Sequence, residues 1–269
     1  MDNQTIAIIG AGNLGLAIFK GLEKGGLLAT NKVILTRREL SSLEKIKHQQ
    51  VMVTSDNVQA VQSSDLIILA VQPKQLSGLL EEIRDHVDPE RHTLISVITA
   101  VTIEQIEQTI GKSCAVVRAM PNTAIAVLES MTCIACNDKG KAKLSLVHSI
   151  FDCVGKTMEI HEELMQAATV VCASGIAFWM RFIRATTQGG VQLGFDAEDA
   201  QQIAVQTCKG AASLLAGNGG HPEKEIDRVT TPQGCTISGL NEMEHHGLSS
   251  ALIKGLVTSF ERINAMKGK

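Results

Sequence analysis

Gly10, Gly12 and Gly15 stand in Gly-x-Gly-x-x-Gly spacing, directly after the apolar run 6–9 and at the start of a helical pattern that takes in Asn13 and Leu14. In a strand-turn-helix setting this spacing does phosphate chemistry. The first glycine permits the tight turn, the second lets a pyrophosphate reach the backbone, and the third lets helix and strand pack closely. The anion then sits on the helix N-terminus. At the end of the next apolar run stand Thr36-Arg37-Arg38. An Asp or Glu about 20 residues beyond the glycines commonly holds the ribose 2′-hydroxyl of NAD. Here a hydroxyl and two guanidinium groups replace it, a set suited to a 2′-phosphate, with nothing acidic at the strand end to repel one. The expected cofactor is NADPH rather than NADH. The alternative is that one arginine is only a solvated surface charge.

A second candidate lies at Thr231-Pro232-Gln233-Gly234-Cys235-Thr236. Thr231 is placed as an N-cap, Pro232 in the first turn, and Gly234 as the residue keeping the backbone accessible. The free amides of such a start suit a carboxylate. A plain capped helix satisfies the same spacing. Cys133-x-x-Cys136 has redox or metal spacing, yet it falls on a strand-like segment without a second pair, which favours a structural role. The eight histidines form no His-Glu-x-x-His motif, and no metal is expected. With no Tyr in the chain, a tyrosine proton donor is excluded.

These residues need elements to hold them. Short apolar runs at 6–9, 33–36, 66–71, 93–97, 114–118 and 131–135 alternate with helical patterns. Continuous rather than alternating hydrophobicity points to strands covered on both faces, as in a doubly wound parallel sheet. After Met158 the strand signals stop, and residues 162–188 carry a long helical pattern whose apolar part, 165–180, reads as a buried helix. The expected fold is α/β: a Rossmann-like dinucleotide-binding domain over 1–160, then an all-helical domain over 161–269. A net charge of −3 supplies no footprint for nucleic acid. Seven cysteines behind an N-terminus that lacks a secretory pattern suggest reduced thiols in the cytoplasm, and no apolar stretch reaches membrane-spanning length uninterrupted.

Five motifs, in order, resemble the pyrroline-5-carboxylate reductase family: residues 10–15, Leu69-Ala70-Val71-Gln72-Pro73-Lys74, Val117-Arg118-Ala119-Met120-Pro121-Asn122-Thr123, Gly190-Val191-Gln192-Leu193-Gly194, and 227–236. The resemblance covers nearly the whole chain. It implies NADPH-dependent reduction of 1-pyrroline-5-carboxylate to L-proline, by hydride transfer to a cyclic imine. It also implies a helical domain shared across a homodimer, or a ring of such dimers. Carried over by position, the nicotinamide lies near Met120 and Asn122, and the adenosine meets Asn57, Ala70, Val71 and Pro73. The substrate carboxylate meets Thr231, Gly234, Cys235 and Thr236, with the Thr236 hydroxyl on the imine nitrogen.

The chain departs from the family's usual sequence in places. Ile98-Thr99-Ala100-Val101 stands for Ala-Ala-Gly-Val, Leu128-Glu129-Ser130 for Gly-Glu-Gly, and Gln233 for the first glycine of the substrate turn. Ile176 and Phe178 replace a proline and a tyrosine of the long helix. These changes fall on the substrate and nicotinamide side, and they leave room for another small imine or keto acid, or for a silent NADPH-binding protein. The related β-hydroxyacid dehydrogenases carry a catalytic lysine on the long helix, and no Lys occurs between Lys156 and Lys209. That absence favours an imine.

Overall fold

The computed structural model describes residues 3–265. Eight strands make one sheet: β1 (Thr5–Ile9), β2 (Lys32–Thr36), β3 (Val51–Thr54), β4 (Leu66–Leu69), β5 (Thr93–Ser96), β6 (Ala115–Met120), β7 (Ser130–Cys136) and β8 (Gly155–Glu159). Their order is β3-β2-β1-β4-β5-β6-β7-β8. Neighbours run parallel except β6 and β7, which pair antiparallel. The chain direction therefore reverses once, late in a sheet expected from the apolar runs to be parallel throughout.

The apolar runs are continuous because both faces are covered. Ile6 and Ile8 of β1, with Leu66 and Ile68 of β4, belong to one core cluster. Ala7, Ile9, Ile67 and Leu69 belong to another on the opposite face, as the two-residue period of a strand requires. Helix α1 (Asn13–Lys24) buries Gly15, Ile18, Phe19 and Leu22, one stripe at helical spacing. Helices α2 (Asn57–Gln62), α3 (Pro73–Ile83), α4 (Ile103–Ile110) and α5 (Leu144–Asp152) complete the layers. A Gln72–Gln75 capping box starts α3, with Pro73 in its first turn, and a Thr102–Gln105 box starts α4.

Two strands escaped the sequence pattern. β3 and β8 are the outer strands of the sheet, only half-buried, and β8 is Gly-Lys-Thr-Met-Glu, with no apolar run to mark it.

The chain divides into two compact units: one runs to Ser174 and takes in the segment from Phe260, and the other is Gly175–Ser259. The long helical pattern is not one uniform helix. It contains α6 (Met165–Ala168), a π-helical turn at Thr169–Ser174 and α7 (Gly175–Gln192). Helices α8 (Ala197–Asn218), α9 (Pro222–Val229), α10 (Cys235–His245) and α11 (Leu248–Asn264) follow. The expectation of a buried helix is corrected for α7, in which only Gly175 and Thr187 are buried. Trp179 and Met180 are 59% and 58% exposed. By length and composition alone, residues 162–192 would suffice to cross a membrane, although Arg181 and Arg184 interrupt them.

Candidate nucleotide and active site

A cavity of about 710 Å³ opens where β1 and β4 end, lined by Gly10, Gly12, Thr36, Arg37, Arg38, Asn57, Ala70 and Val71 among others. This is the point where the strand order turns back, the usual ligand crevice of an open α/β sheet. Gly10 has φ 99°, and a Cβ there would meet the Ala70 carbonyl oxygen at 2.8 Å, whereas at Gly12 a Cβ would meet nothing within 4 Å. The chain thus crosses tightly at Gly10 and leaves room at Gly12. No side chain caps α1, so its first-turn amides at Asn13 and Leu14 remain suited to an anion. These residues fit a dinucleotide.

The residues at the end of β2 divide their work. Thr36 is buried, and its hydroxyl and carbonyl both accept the Gly10 N–H at 3.3 Å while the carbonyl also accepts Ala11 N–H at 2.8 Å. The hydroxyl therefore props the glycine loop. Arg37 donates through Nη1 to the Ala11 carbonyl at 3.1 Å, and Arg38 is exposed. The expectation of nothing acidic at the strand end is corrected: Glu39, which directly follows Arg38, lines the cavity, and so does Glu82 of α3. Glu82 accepts from Asn57 Nδ2 at 3.1 and 3.3 Å. Pro73 opens α3, and Gly15 is buried on α1.

Met120 ends β6 and is 3% exposed as a residue, packed in a cluster with Ala135 and Met165. Its side chain is thus part of the core. Asn122 works as a joint: its N–H donates to Ser130 Oγ, Nδ2 donates to the Cys172 carbonyl at 3.2 Å, and Oδ1 accepts from Ala124 N–H at 2.9 Å. Arg118 of the same motif is 1% exposed and pairs through Nη1 with Glu162 Oε1 at 3.2 Å. Burial lowers the guanidinium pKa, and the Glu162 contact opposes that shift. Glu162 Oε1 also accepts Ile103 N–H at 2.7 Å, tying α4 to the segment after β8. Arg118 appears in the sequence motif, but only its burial shows that its contact is structural.

In the second unit the Thr231 cap is corrected. Gly234, not Thr231, is the N-cap of α10. Residues 231–234 form a turn closed by Gly234 N–H on the Thr231 carbonyl at 2.9 Å. Gln233 occupies its third position at φ 60°, as a type II turn with proline second demands. A Cβ on Gly234 would meet Thr231 Oγ1 at 2.5 Å, so this glycine is required by its own turn. Cys235 and Thr236 are the first two residues of α10, and both are exposed. No side chain caps this helix start. Its free amides are compatible with a carboxylate.

Residues 5–100 match the NADP oxidoreductase, coenzyme F420-dependent family, and residues 162–266 match the pyrroline-5-carboxylate reductase dimerisation family. Pyrroline-5-carboxylate reductase 2 of Dictyostelium discoideum is 44% identical, over 97% of this chain and 92% of that protein. The chain belongs to the pyrroline-5-carboxylate reductase family. Pyrroline-5-carboxylate reductase 1 of the same organism is 48% identical over 96% of this chain but only 49% of its own length, so the chain spans about half of that relative. A solved pyrroline-5-carboxylate reductase from Coxiella burnetii, 29% identical, covers both chains completely with a TM-score of 0.92. The five-motif resemblance and the expected α/β-then-helical fold are both confirmed by these likenesses.

Proposed function

We propose that the chain reduces 1-pyrroline-5-carboxylate to L-proline with NADPH. The observation that carries this reading is the glycine cradle with Arg37 and Arg38 on its cavity wall, in a chain of this family. Gly10, Gly12, Asn13, Leu14 and Gly15 would hold the pyrophosphate, Arg37 and Arg38 the 2′-phosphate, and Asn57, Ala70, Val71 and Pro73 the adenosine. The end of β6, from Met120 to Asn122, would border the nicotinamide. Bound NADPH supplies the hydride. A cyclic imine is readily protonated in water, so the protein has to position rather than activate. Holding the reacting carbons at roughly 3 to 3.5 Å converts an encounter into a unimolecular step. The amides at the start of α10, behind Thr231 and Gly234, would hold the substrate carboxylate beside Cys235. The Thr236 hydroxyl would orient the ring nitrogen.

Residues 1–160 would form the nucleotide domain and 161–269 the dimerisation and substrate domain. The exposed apolar side chains of α7, Trp179 and Met180 among them, are a face that a second copy would cover, giving a homodimer or a ring of dimers. Arg181 and Arg184 argue against a membrane span, and the balanced charge argues against nucleic acid. A cytoplasmic enzyme is the reading that follows. A substrate panel read by NADPH absorbance tests the assignment: 1-pyrroline-5-carboxylate is turned over and small keto acids are not. Preference for a keto acid would overturn it.

A further inference from the structure

β7 carries Cys133, and the π-helical turn Thr169–Ser174 carries Cys172. Separated by 39 positions in sequence, their sulfurs stand 3.6 Å apart, and both belong to the first unit. A disulfide needs about 2.05 Å, so a closure of roughly 1.5 Å would join them. The Cys-x-x-Cys spacing pointed elsewhere, to Cys136. Residues three apart on a strand face opposite ways, and the partner that the fold brings to Cys133 is Cys172.

The two thiols are unequal. Cys133 is 4% exposed, while Cys172 is partly open to solvent. A hydrogen bond from the Cys133 thiol favours the Cys172 thiolate and lowers that thiol to about 7, while the same contact, with burial, pushes Cys133 up. Cys172 is thus the nucleophile, and Cys133 the buried resolving thiol.

We propose that Cys133 and Cys172 are a thiol-oxidation site, forming a reversible disulfide that slows the enzyme by displacing Asn122. With a peroxide as oxidant, the Cys172 thiolate attacks one peroxide oxygen, the O–O bond breaks, and the departing oxygen takes up a proton. Hydrogen peroxide in this way gives water and a sulfenic acid on Cys172. The Cys133 sulfur then attacks that sulfur, the S–O bond breaks, and the Cys133 proton leaves with the oxygen in a second water. Two thiols have lost two electrons, and the peroxide has gained them. Exchange with a dithiol reverses the bond.

The coupling to turnover is local. The Cys172 carbonyl is held by Asn122 Nδ2 at 3.2 Å, and Asn122 directly follows Met120-Pro121 at the end of β6. Drawing Cys172 towards β7 moves that carbonyl and the side chain bonded to it. This consequence rests on the reductase assignment, whereas the bond itself does not.

The test is to treat the purified full chain with hydrogen peroxide at neutral pH, alkylate the remaining thiols, digest, and map linked peptides by mass spectrometry beside an NADPH assay. The expected result is one linked pair carrying Cys133 and Cys172. It should be lost in Cys172→Ser and Cys133→Ser, kept in Cys136→Ser, and cleared by dithiothreitol. Turnover should fall by about tenfold or more, as a displacement of about 1 Å near reacting groups can cause, and recover on reduction. Linkage to a different cysteine, or sulfinic acid on Cys172 without linkage, overturns the site. Linkage with unchanged turnover overturns the control of activity. A reduced chain that never consumes NADPH counts against the reductase reading, and the peptide map then decides the bond alone.

Discussion

Ala100, Leu128 and Gln233 adopt φ of 64°, 65° and 60°, a region where a Cβ crowds the following carbonyl at roughly 1 to 2 kcal/mol. Each stands where the family's usual sequence has glycine, so three apparently separate departures share one backbone cause. Ala100→Gly and Gln233→Gly should each raise stability by about 0.5 to 1 kcal/mol, the relief being partly offset by glycine's entropy. Chemical denaturation would show this as a higher midpoint, and a lower one would contradict it. Leu128→Gly should do the reverse, because Leu128 also packs on the core and burial of such a side chain outweighs about 1 kcal/mol of strain. The departures are visible in the sequence, but their φ is not, since Ala, Leu and Gln carry no left-handed signal.

His92 makes a second residue-scale case. It is 2% exposed, and its Nδ1 accepts Asp88 N–H at 2.8 Å. Burial, then the neighbouring Arg91, lower its pKa below 6.5. The unfolded chain therefore takes up a proton that the folded chain refuses, so this contribution is intact above pH 6.5 and is lost as pH falls below that value. Asparagine can replace the Nδ1 acceptor without titrating. His92→Asn should flatten the acid limb of a stability-against-pH curve, and an unchanged slope would exclude His92 as its source.

At the level of elements, the interior strands were legible because both faces are buried, and the outer ones were not, because half of an edge strand faces water. β8 shows the limit with Lys156 and Glu159 in five residues. Helix α9 was hidden for another reason: its N-cap is His221, whose Nδ1 accepts Glu223 N–H at 3.3 Å, and histidine is not among the usual caps. The Thr231 cap misled because threonine before proline satisfies helix-start rules and turn rules alike. The Arg118–Glu162 pair belongs to this scale, since it joins β6 to the segment after β8 and to the start of α4. Glu162→Ala would leave a buried guanidinium and the Ile103 N–H without their acceptor. The expected loss is about 2 to 3 kcal/mol, below the range for fully buried pairs because Glu162 is partly exposed. Thermal unfolding would check it, and a loss under about 0.5 kcal/mol, typical of surface substitutions, would show the pair to be idle.

For the whole molecule, the nucleotide cradle was legible from three glycines and two arginines, because spacing alone positions backbone around a phosphate. The acidic part of the cavity wall was legible only in Glu39, which adjoins Arg38 in the sequence, since Glu82 reaches the wall through the folding of α3 beside α2. Arg38→Ala is the cleaner cofactor probe, because Arg37 also holds the Ala11 carbonyl. Losing a charged contact of about 1.5 to 3 kcal/mol should weaken NADPH roughly ten- to a hundredfold and leave NADH nearly unchanged. Equal weakening of both would remove the 2′-phosphate role. Thr236→Ala should lower turnover while leaving NADPH affinity intact, and unaltered turnover would mean that the hydroxyl does not orient the substrate. The direct test of the central claim is the stoichiometry of L-proline formed to NADPH consumed when the purified chain is given 1-pyrroline-5-carboxylate. Equimolar formation is predicted, and NADPH that binds while no proline appears would contradict it.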